Sequence, residues 1–565
     1  MGVAVLLWAL LLAGCATHRA APESPAVADD PFLRALVQDR AWGEDDALPP
    51  TVGEQSARVK FLGVSEQDAR LSLALKLQLI DSARWSVDLA DYILRDDFSG
   101  RSVLAALCRA AGRGVDVRVL VDSLGSWSMH HAELKQLKRC ERSAGFILDR
   151  SGRPTAVRAR IEIGIINALS NVLVRWNRRS HDKLLVVDGL VAEHAVVITG
   201  GRNLAGDYFA LKPDGQPSSS GYRDLEIVVR PHDDPSALHA GQVATRYFTS
   251  LLRNPGNRRI RDRRTVGAED GIQWAIAAAQ SAAHAPALED AWRRLPEWQA
   301  QEWVDAQVHF ANELPNLHRQ GAVSRALESR DANDASIRGI AVQHLEIAHP
   351  QRIRIVSPYL FLAHYPARRG RPEYDEARLF LDYLERHPQA TLEIVTNSPL
   401  TSDNPLAQAF IDMDTIPRLL LAPEDAEAWR RQETDLAALA THPRLAVYTL
   451  GRNDAQALGG PTPYGKLHAK FLVTEHGGFV GTDNFDYRSR LLNSEIGYFF
   501  RSDAAASRLN AEFDQLKAMS LRWGSEEWLA LRRTVAVMPD QKGTSLRWQR
   551  RLYRVSRVLH LGWLY

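Results

Sequence analysis

The pattern histidine, one spacer, lysine and a short apolar strand is written twice in this chain. Ser180–Gly189 reads SHDKLLVVDG and Leu467–His476 reads LHAKFLVTEH. In an extended strand, residues two apart project from one side, so each histidine shares a surface with its lysine. After each strand come a turn, a second strand and a Gly-x-x-Asn, as Gly200-Gly201-Arg202-Asn203 and Gly481-Thr482-Asp483-Asn484. Further on stand Glu226, in YRDLEIVV, and Glu495, in LLNSEIGYF. Each half thus offers an imidazole, an ammonium, a carboxamide and a carboxylate in one order, and the fold must accommodate a duplicated unit.

A chain of 565 residues is too long for one ordinary core and fits two domains. The helical run EQDARLSLALKLQLIDSA, the strand WSVDLADYIL, the helix GRSVLAALCRAAGRG and the strand VDVRVLVDS alternate, and the second half repeats the order from SIRGIAVQHLEIAHP onward. We expect an α/β protein: two duplicated α/β/α domains packed face to face with pseudo-twofold symmetry. The expected divisions are a signal segment over 1–15, an unstructured tether over 16–55 and a first domain over 56–262. A helical connector over 263–340 follows, its tryptophans serving as core, then a second domain over 341–525 and a basic amphipathic segment over 526–565.

The N-terminus MGVAVLLWALLLAGCATHRA is too short an apolar run to span a bilayer comfortably and reads as an export signal, although no Lys or Arg precedes it. Its Leu12-Ala13-Gly14-Cys15 ending resembles a bacterial lipobox, which would make Cys15 the lipidated first residue of the mature protein. Ala16, where an Asp is absent, then implies the outer membrane. The expected location is the cell envelope, lipid-anchored and periplasm-facing. Cys108 and Cys140 remain; two cysteines in a large chain are no disulfide framework, and Cys108 reads as a small buried hydrophobe in a helix. A net charge of +2 does not describe a nucleic-acid-binding polycation.

The repeated set suits phosphodiester chemistry. An imidazole can attack phosphorus and leave again, a second can donate to the departing alkoxide, and lysines and carboxamides can hold the equatorial oxygens. A carboxylate on Nδ1–H keeps Nε2 available. No metal or other cofactor is required by this scheme. Each half alone lacks a second histidine, so both halves must meet with His181 and His468 flanking one phosphorus. His130 and His131 read as surface or loop residues.

These residues resemble the phospholipase D superfamily, whose H-x-K-x4-D motif occurs twice in two-domain members. NRRSHDKLLVVDG, GGRNLAGDYF, GTDNFDYRSRLLNSE, SPYL and TNSPLTSDN are similar to the bacterial cardiolipin synthase branch over about residues 55–525. The resemblance implies His181 as nucleophile and His468 as general acid, then base. It implies Lys183, Lys470, Asn203 and Asn484 as phosphate ligands, and Glu226 and Glu495 as the groups that orient the imidazoles. Asp188 closes the first motif and is expected to accept the N–H groups of its own turn. Glu475 departs from the motif, and because Gly477 and Gly478 can turn unaided, only a mild stability effect is expected.

A lipid-anchored enzyme meets phospholipid at high local concentration, which favours a lipid alcohol over water as acceptor. The expected activity is phosphatidyl transfer of the cardiolipin synthase kind; the rivals are a phospholipase D hydrolase, a nuclease and a catalytically dead scaffold. Expected partners are phospholipid substrates and a membrane surface, without nucleic acid. The C-terminal SLRWQRRLYRVSRVLHLGWLY suits either an interfacial helix on anionic lipid or a helix packed on the catalytic body.

Overall fold

The computed structural model describes residues 30–42, 53–126, 131–168, 177–232, 238–261, 268–283, 285–318, 333–362, 364–365, 374–401, 404–431, 441–457, 459, 464–538 and 541–558. Cys15 with its signal segment, His130 and the last seven residues lie outside them.

Sixteen strands form one continuous sheet. In the first half they are β1 (Gln55–Leu62), β2 (Ser86–Asp91), β3 (Asp116–Asp122), β4 (Ile161–Ile166), β5 (Lys183–Val187), β6 (Val196–Gly200), β7 (Glu226–Pro231) and β8 (Arg258–Arg259). In the second half they are β9 (Val304–Asn312), β10 (Arg352–Val356), β11 (Thr391–Asn397), β12 (Leu445–Leu450), β13 (Phe471–Val473), β14 (Gly477–Gly481), β15 (Ile496–Arg501) and β16 (Leu521–Arg522). The spatial order is β8-β4-β3-β2-β5-β6-β7-β1-β9-β15-β14-β13-β10-β11-β12-β16, so strand n of the first half mirrors strand n+8 of the second. β2–β3–β4 and β10–β11–β12 are parallel; the other neighbours are antiparallel.

The α/β duplication is therefore present, and its seam is an edge-to-edge junction of β1 with β9, with Ala57 opposite Ala306, in place of two separate sheets packed on one another. The strand β9 also corrects the expected connector: Ala268–Ala283 and Pro286–Ala300 are helical, but Val304–Asn312 opens the second repeat. Its alternation VDAQVHFAN, with Val304, Ala306 and Val308 buried, is a strand signature. Trp292, Trp298 and Trp303 pack half-buried against the first-half core.

Helices cover both faces. Glu66–Ser82 starts at Ser65, which accepts from Asp68 N–H at 3.0 Å, and Phe98–Gly112 starts at Asp97. Ala240–Leu252 and Asp503–Ala518 lie on the opposite face over a core that runs through both halves, from Val229 and Phe248 to Tyr498 and Phe513. This shared core, beside a separate core in each half, fixes the relative position of the halves.

Two further expectations are corrected. The tether over 16–55 is folded at Pro31–Asp39: Asp30 caps it by accepting from Phe32 and Leu33 N–H, and Pro31 occupies the first turn. Arg40 then reaches into the body, pairing with Asp88 at 2.5 Å and Asp116 at 2.9 Å. Cys108 and Cys140 form a disulfide with Cα atoms 5.5 Å apart. The helix bearing Cys108 packs against the Cys140–Ser143 turn, a neighbourhood that spacing in sequence does not reveal.

Candidate active site

Each histidine is seated by the opposite half. The chain before His468 pairs in parallel with the segment before Asp224, Lys466 beside Tyr222 and Leu467 beside Arg223, and His468 N–H donates to Arg223 O at 2.8 Å. Symmetrically, Ser180 bridges Ser494, and His181 N–H donates to Ser494 O at 2.9 Å. Asp182 ties the same seam, accepting from Ser180 Oγ at 2.7 Å and Ser494 Oγ at 2.6 Å.

The side chains cross over likewise. His181 Nδ1 lies 2.9 Å from Glu495 Oε2, and His468 Nδ1 lies 2.7 Å from Asp224 Oδ2. Glu495 is held by Thr482 Oγ1 at 2.5 Å and Ser489 Oγ at 2.7 Å. Both histidines are buried among each other's charges: Lys183 acts on His468, and Lys470 and His468 act on His181. Lys183 Nζ donates to His181 O at 2.7 Å, and Lys470 Nζ sits 2.7 Å from His468 Nδ1. Asn203 Oδ1 accepts from Ile93 N–H at 3.2 Å, while its Nδ2 is buried without a hydrogen-bond partner of ordinary geometry, as is Asn484 Oδ1.

Glu226 does not take the expected place. It accepts from Lys76 Nζ at 2.5 Å and pairs with Ser72 and Arg202, touching neither imidazole. Register gives the reason: Gly200 faces Glu226 whereas Gly481 faces Gly497, so the counterpart of Glu495 is Asp224. Leu225, Ile227 and Val229 share the central core with Ile496, Tyr498 and Phe500. That alternation, DLEIVV against EIGYFF, is the signal in the sequence that aligns Asp224 with Glu495.

Asp188 also acts elsewhere than expected. At φ 50° it accepts N–H groups of Arg84, Trp85 and Ser86 at 2.9, 2.7 and 2.9 Å, bracing the start of β2 and not its own turn. Glu475 does not copy it: its Oε2 has no partner, and Thr474 N–H closes that turn onto Gly477 O at 2.9 Å.

Tyrosines, unmarked by any motif, wall the pocket. Tyr92 meets His181 edge-on with centroids 4.9 Å apart, and Tyr208 and Tyr222 meet His468 at 5.0 and 5.1 Å. Among the described residues no group of three or more His, Cys, Asp or Glu side chains could hold a metal ion.

The two dyads differ electrostatically. Burial would raise the Asp224 carboxyl, but His468, Lys470 and Arg202 bring it down to about 2. Burial raises Glu495 to about 7. Burial, then Lys470, lowers His468 to about 4 against the pull of Asp224, and burial with Lys183 and Lys470 holds His181 well below the ordinary histidine value. Both rings are therefore neutral at pH 7, one beside a fixed anion and one beside a carboxyl that still titrates.

A duplicated sheet with paired His-x-Lys motifs crossing at its seam is the arrangement that the resemblance to phospholipase D implied. Residues 77–215 match the family model described as "Cardiolipin synthase, PLD-like domain". Over 503 residues the chain is 25% identical to Cardiolipin synthase C of Escherichia coli (strain K12), covering 87% of this chain and 94% of that one. It is 30% identical over 182 residues to the Major cardiolipin synthase ClsA of Bacillus subtilis (strain 168), 32% of this chain and 31% of that one. The crystal structure of phosphatidylserine synthase from Haemophilus influenzae Rd KW20 shares the fold, with TM-score 0.51 at 12% identity, covering 91% of this chain and 97% of that one. Residues 77–215 therefore carry a PLD-like domain of the cardiolipin synthase family, and the chain is a homologue of the cardiolipin synthases.

Proposed function

We propose that this protein is a phosphatidyltransferase acting on phospholipids through a phosphohistidine, of the cardiolipin synthase kind. The observation that carries this reading is the crossed pair of dyads, His181–Glu495 and His468–Asp224, buried within electrostatic reach of each other and of Lys183 and Lys470. His181 Nε2 attacks phosphorus as the bond to the leaving alcohol breaks, and His468 gives its proton to that oxygen. His468 then takes a proton from the acceptor alcohol, whose oxygen displaces His181.

The dyad asymmetry favours this assignment. Ionised Asp224 stabilises an imidazolium at His468, whereas Glu495, its carboxyl raised by burial, offers a weaker anion and leaves His181 neutral and nucleophilic. An arriving phosphodiester anion offsets the lysines and raises His468, so proton donation is switched on by substrate. The buried Asn203 Nδ2, without a hydrogen-bond partner of ordinary geometry, supports a role beside Lys183 and Lys470 in holding the equatorial oxygens.

A periplasm-facing location with a Cys15 anchor and a membrane-surface partner belongs to the same reading. The Cys108–Cys140 disulfide supports an oxidising compartment. Incubation with phosphatidylglycerol alone, then with phosphatidylethanolamine added, tests the function by its lipid products: cardiolipin with release of glycerol is expected. Phosphatidic acid as sole product under both conditions overturns transfer in favour of hydrolysis.

A further inference from the structure

The C-terminal helix Gln541–Val558 has two faces with different tasks. One face packs on the catalytic body. Leu546 joins a small core with Ala457, Leu531 and Val535, Tyr553 meets Phe410 with centroids 5.4 Å apart, and buried Gln549 donates to Pro399 O at 2.9 Å. The sequence alternatives, packed or interfacial, are thus resolved for this side.

The opposite side is exposed and mixed in character. Trp548 is 56% exposed, Val555 54% and Val558 77%, although each is apolar. Arg551 and Arg554 stand three residues apart along the same exposed arc, Arg547 at its start donates to Ala536 O and Met538 O at 3.2 Å, and the helix contains no acidic residue. Burying Trp548 and Val555 in the body would have been the default for side chains of this kind; here they form a row seven residues apart, parallel to the arginines.

The position of this face matters as much as its composition. Pro399, which receives Gln549, follows β11 by two residues. Asn397, the last residue of β11, donates through Nδ2 to Leu467 O at 3.1 Å, beside His468. The helix is therefore mounted on the end of the sheet that carries the catalytic pocket. Among the described residues no helix is long and apolar enough to cross a membrane.

We propose that the exposed face of helix 541–558 docks this protein on an anionic phospholipid bilayer, with Trp548, Val555 and Val558 entering the headgroup boundary and Arg551 and Arg554 pairing with lipid phosphates. Charge complementarity selects the partner: an arginine row beside an apolar row fits a surface that is anionic above and hydrocarbon below. The contact is separate from any anchor at Cys15 and brings the catalytic rim to the source of the lipid taken in the proposed reaction, on which it rests only for the nature of that lipid.

The test uses the full chain with Cys15→Ser, so that acylation makes no contribution. A nitroxide at Val555→Cys is expected to become reachable by oxygen and shielded from a water-soluble nickel complex on phosphatidylglycerol vesicles, and to stay in water with phosphatidylcholine vesicles. Arg551→Gln with Arg554→Gln is expected to weaken phosphatidylglycerol vesicle binding by about 25-fold, roughly five-fold per arginine, with unchanged thermal unfolding. A label that remains in water on the anionic vesicles, equal immersion on both, or unchanged affinity in the double variant would each overturn the proposal. Turnover of a monomeric short-chain phosphatidylglycerol reads the pocket separately and is expected to be unaffected by the two arginine changes. If the parent shows no such turnover, the functional reading fails while the vesicle measurement still decides the docking.

Discussion

Asp224 and Glu226 stand two residues apart and belong to different structures. Asp224 lies just before β7, where the chain meets the second half, and touches His468; Glu226 opens β7 and neutralises Lys76 in the first-half layer. Asp224→Asn keeps the size but loses the anion that fixes Nδ1–H, so turnover is expected to fall about 10²–10⁴-fold with little change in unfolding temperature. Glu226→Gln is expected to do the reverse. It leaves buried Lys76 without its carboxylate and costs about 3 kcal/mol of stability, while the folded fraction retains turnover within about tenfold; urea unfolding and activity on one preparation separate the two. With a phosphodiester bearing an activated leaving group, His468→Asn is expected to trap a phosphoenzyme at His181, visible as a mass increment, and His181→Asn to trap none. An adduct at position 468 instead would invert the assignment.

At the scale of elements, the repeat was legible wherever side chains alternate with the pleat. The strands SVDLAD, KLLVV and EIVVRP declare themselves by apolar, β-branched runs. Two elements did not, for opposite reasons. The strand β9 follows two long helices and was absorbed into them by proximity, although its alternation is clear. The segment Pro31–Arg40 carries a cap, a proline at the first turn and apolar residues at helical spacing, but its anchoring partners, Asp88 and Asp116, are distant in sequence. The disulfide is of the same kind. Cys108 and Cys140 enclose a segment with a separation of 32 residues, so its loss through Cys140→Ser is expected to cost about 3.5 kcal/mol by loop-closure entropy, measured as a shift of the urea midpoint at constant slope; the reduced wild-type protein should shift equally.

At the scale of the molecule, the pocket exists because the two halves share a core, and that sharing makes stability depend on pH. His468 is lowered to about 4 in the folded protein, by burial first and Lys470 second. An unfolded histidine takes its proton near pH 6.5, so between that value and 4 the unfolded chain holds more protons, and stability falls as pH falls through this window. His468→Asn removes this dependence. Relative to wild type its stability at pH 5 should therefore improve by about 2 kcal/mol over the same comparison at pH 8, read from urea unfolding at both pH values.

The sequence by itself determined the duplication, the α/β alternation and the type of chemistry, because histidine, lysine and asparagine at fixed offsets and a period-two pattern are local properties of the chain. Only the tertiary structure decided which carboxylate meets which imidazole, that Asp188 braces β2, and that the C-terminal helix has one bound face and one open face. Those outcomes depend on contacts between residues a hundred or more positions apart, such as His181 with Glu495, His468 with Asp224 and Asp188 with Trp85. They are set by how a sixteen-stranded sheet is joined at its centre; the alternation of DLEIVV against EIGYFF aligns Asp224 with Glu495 but does not say which imidazole either one meets.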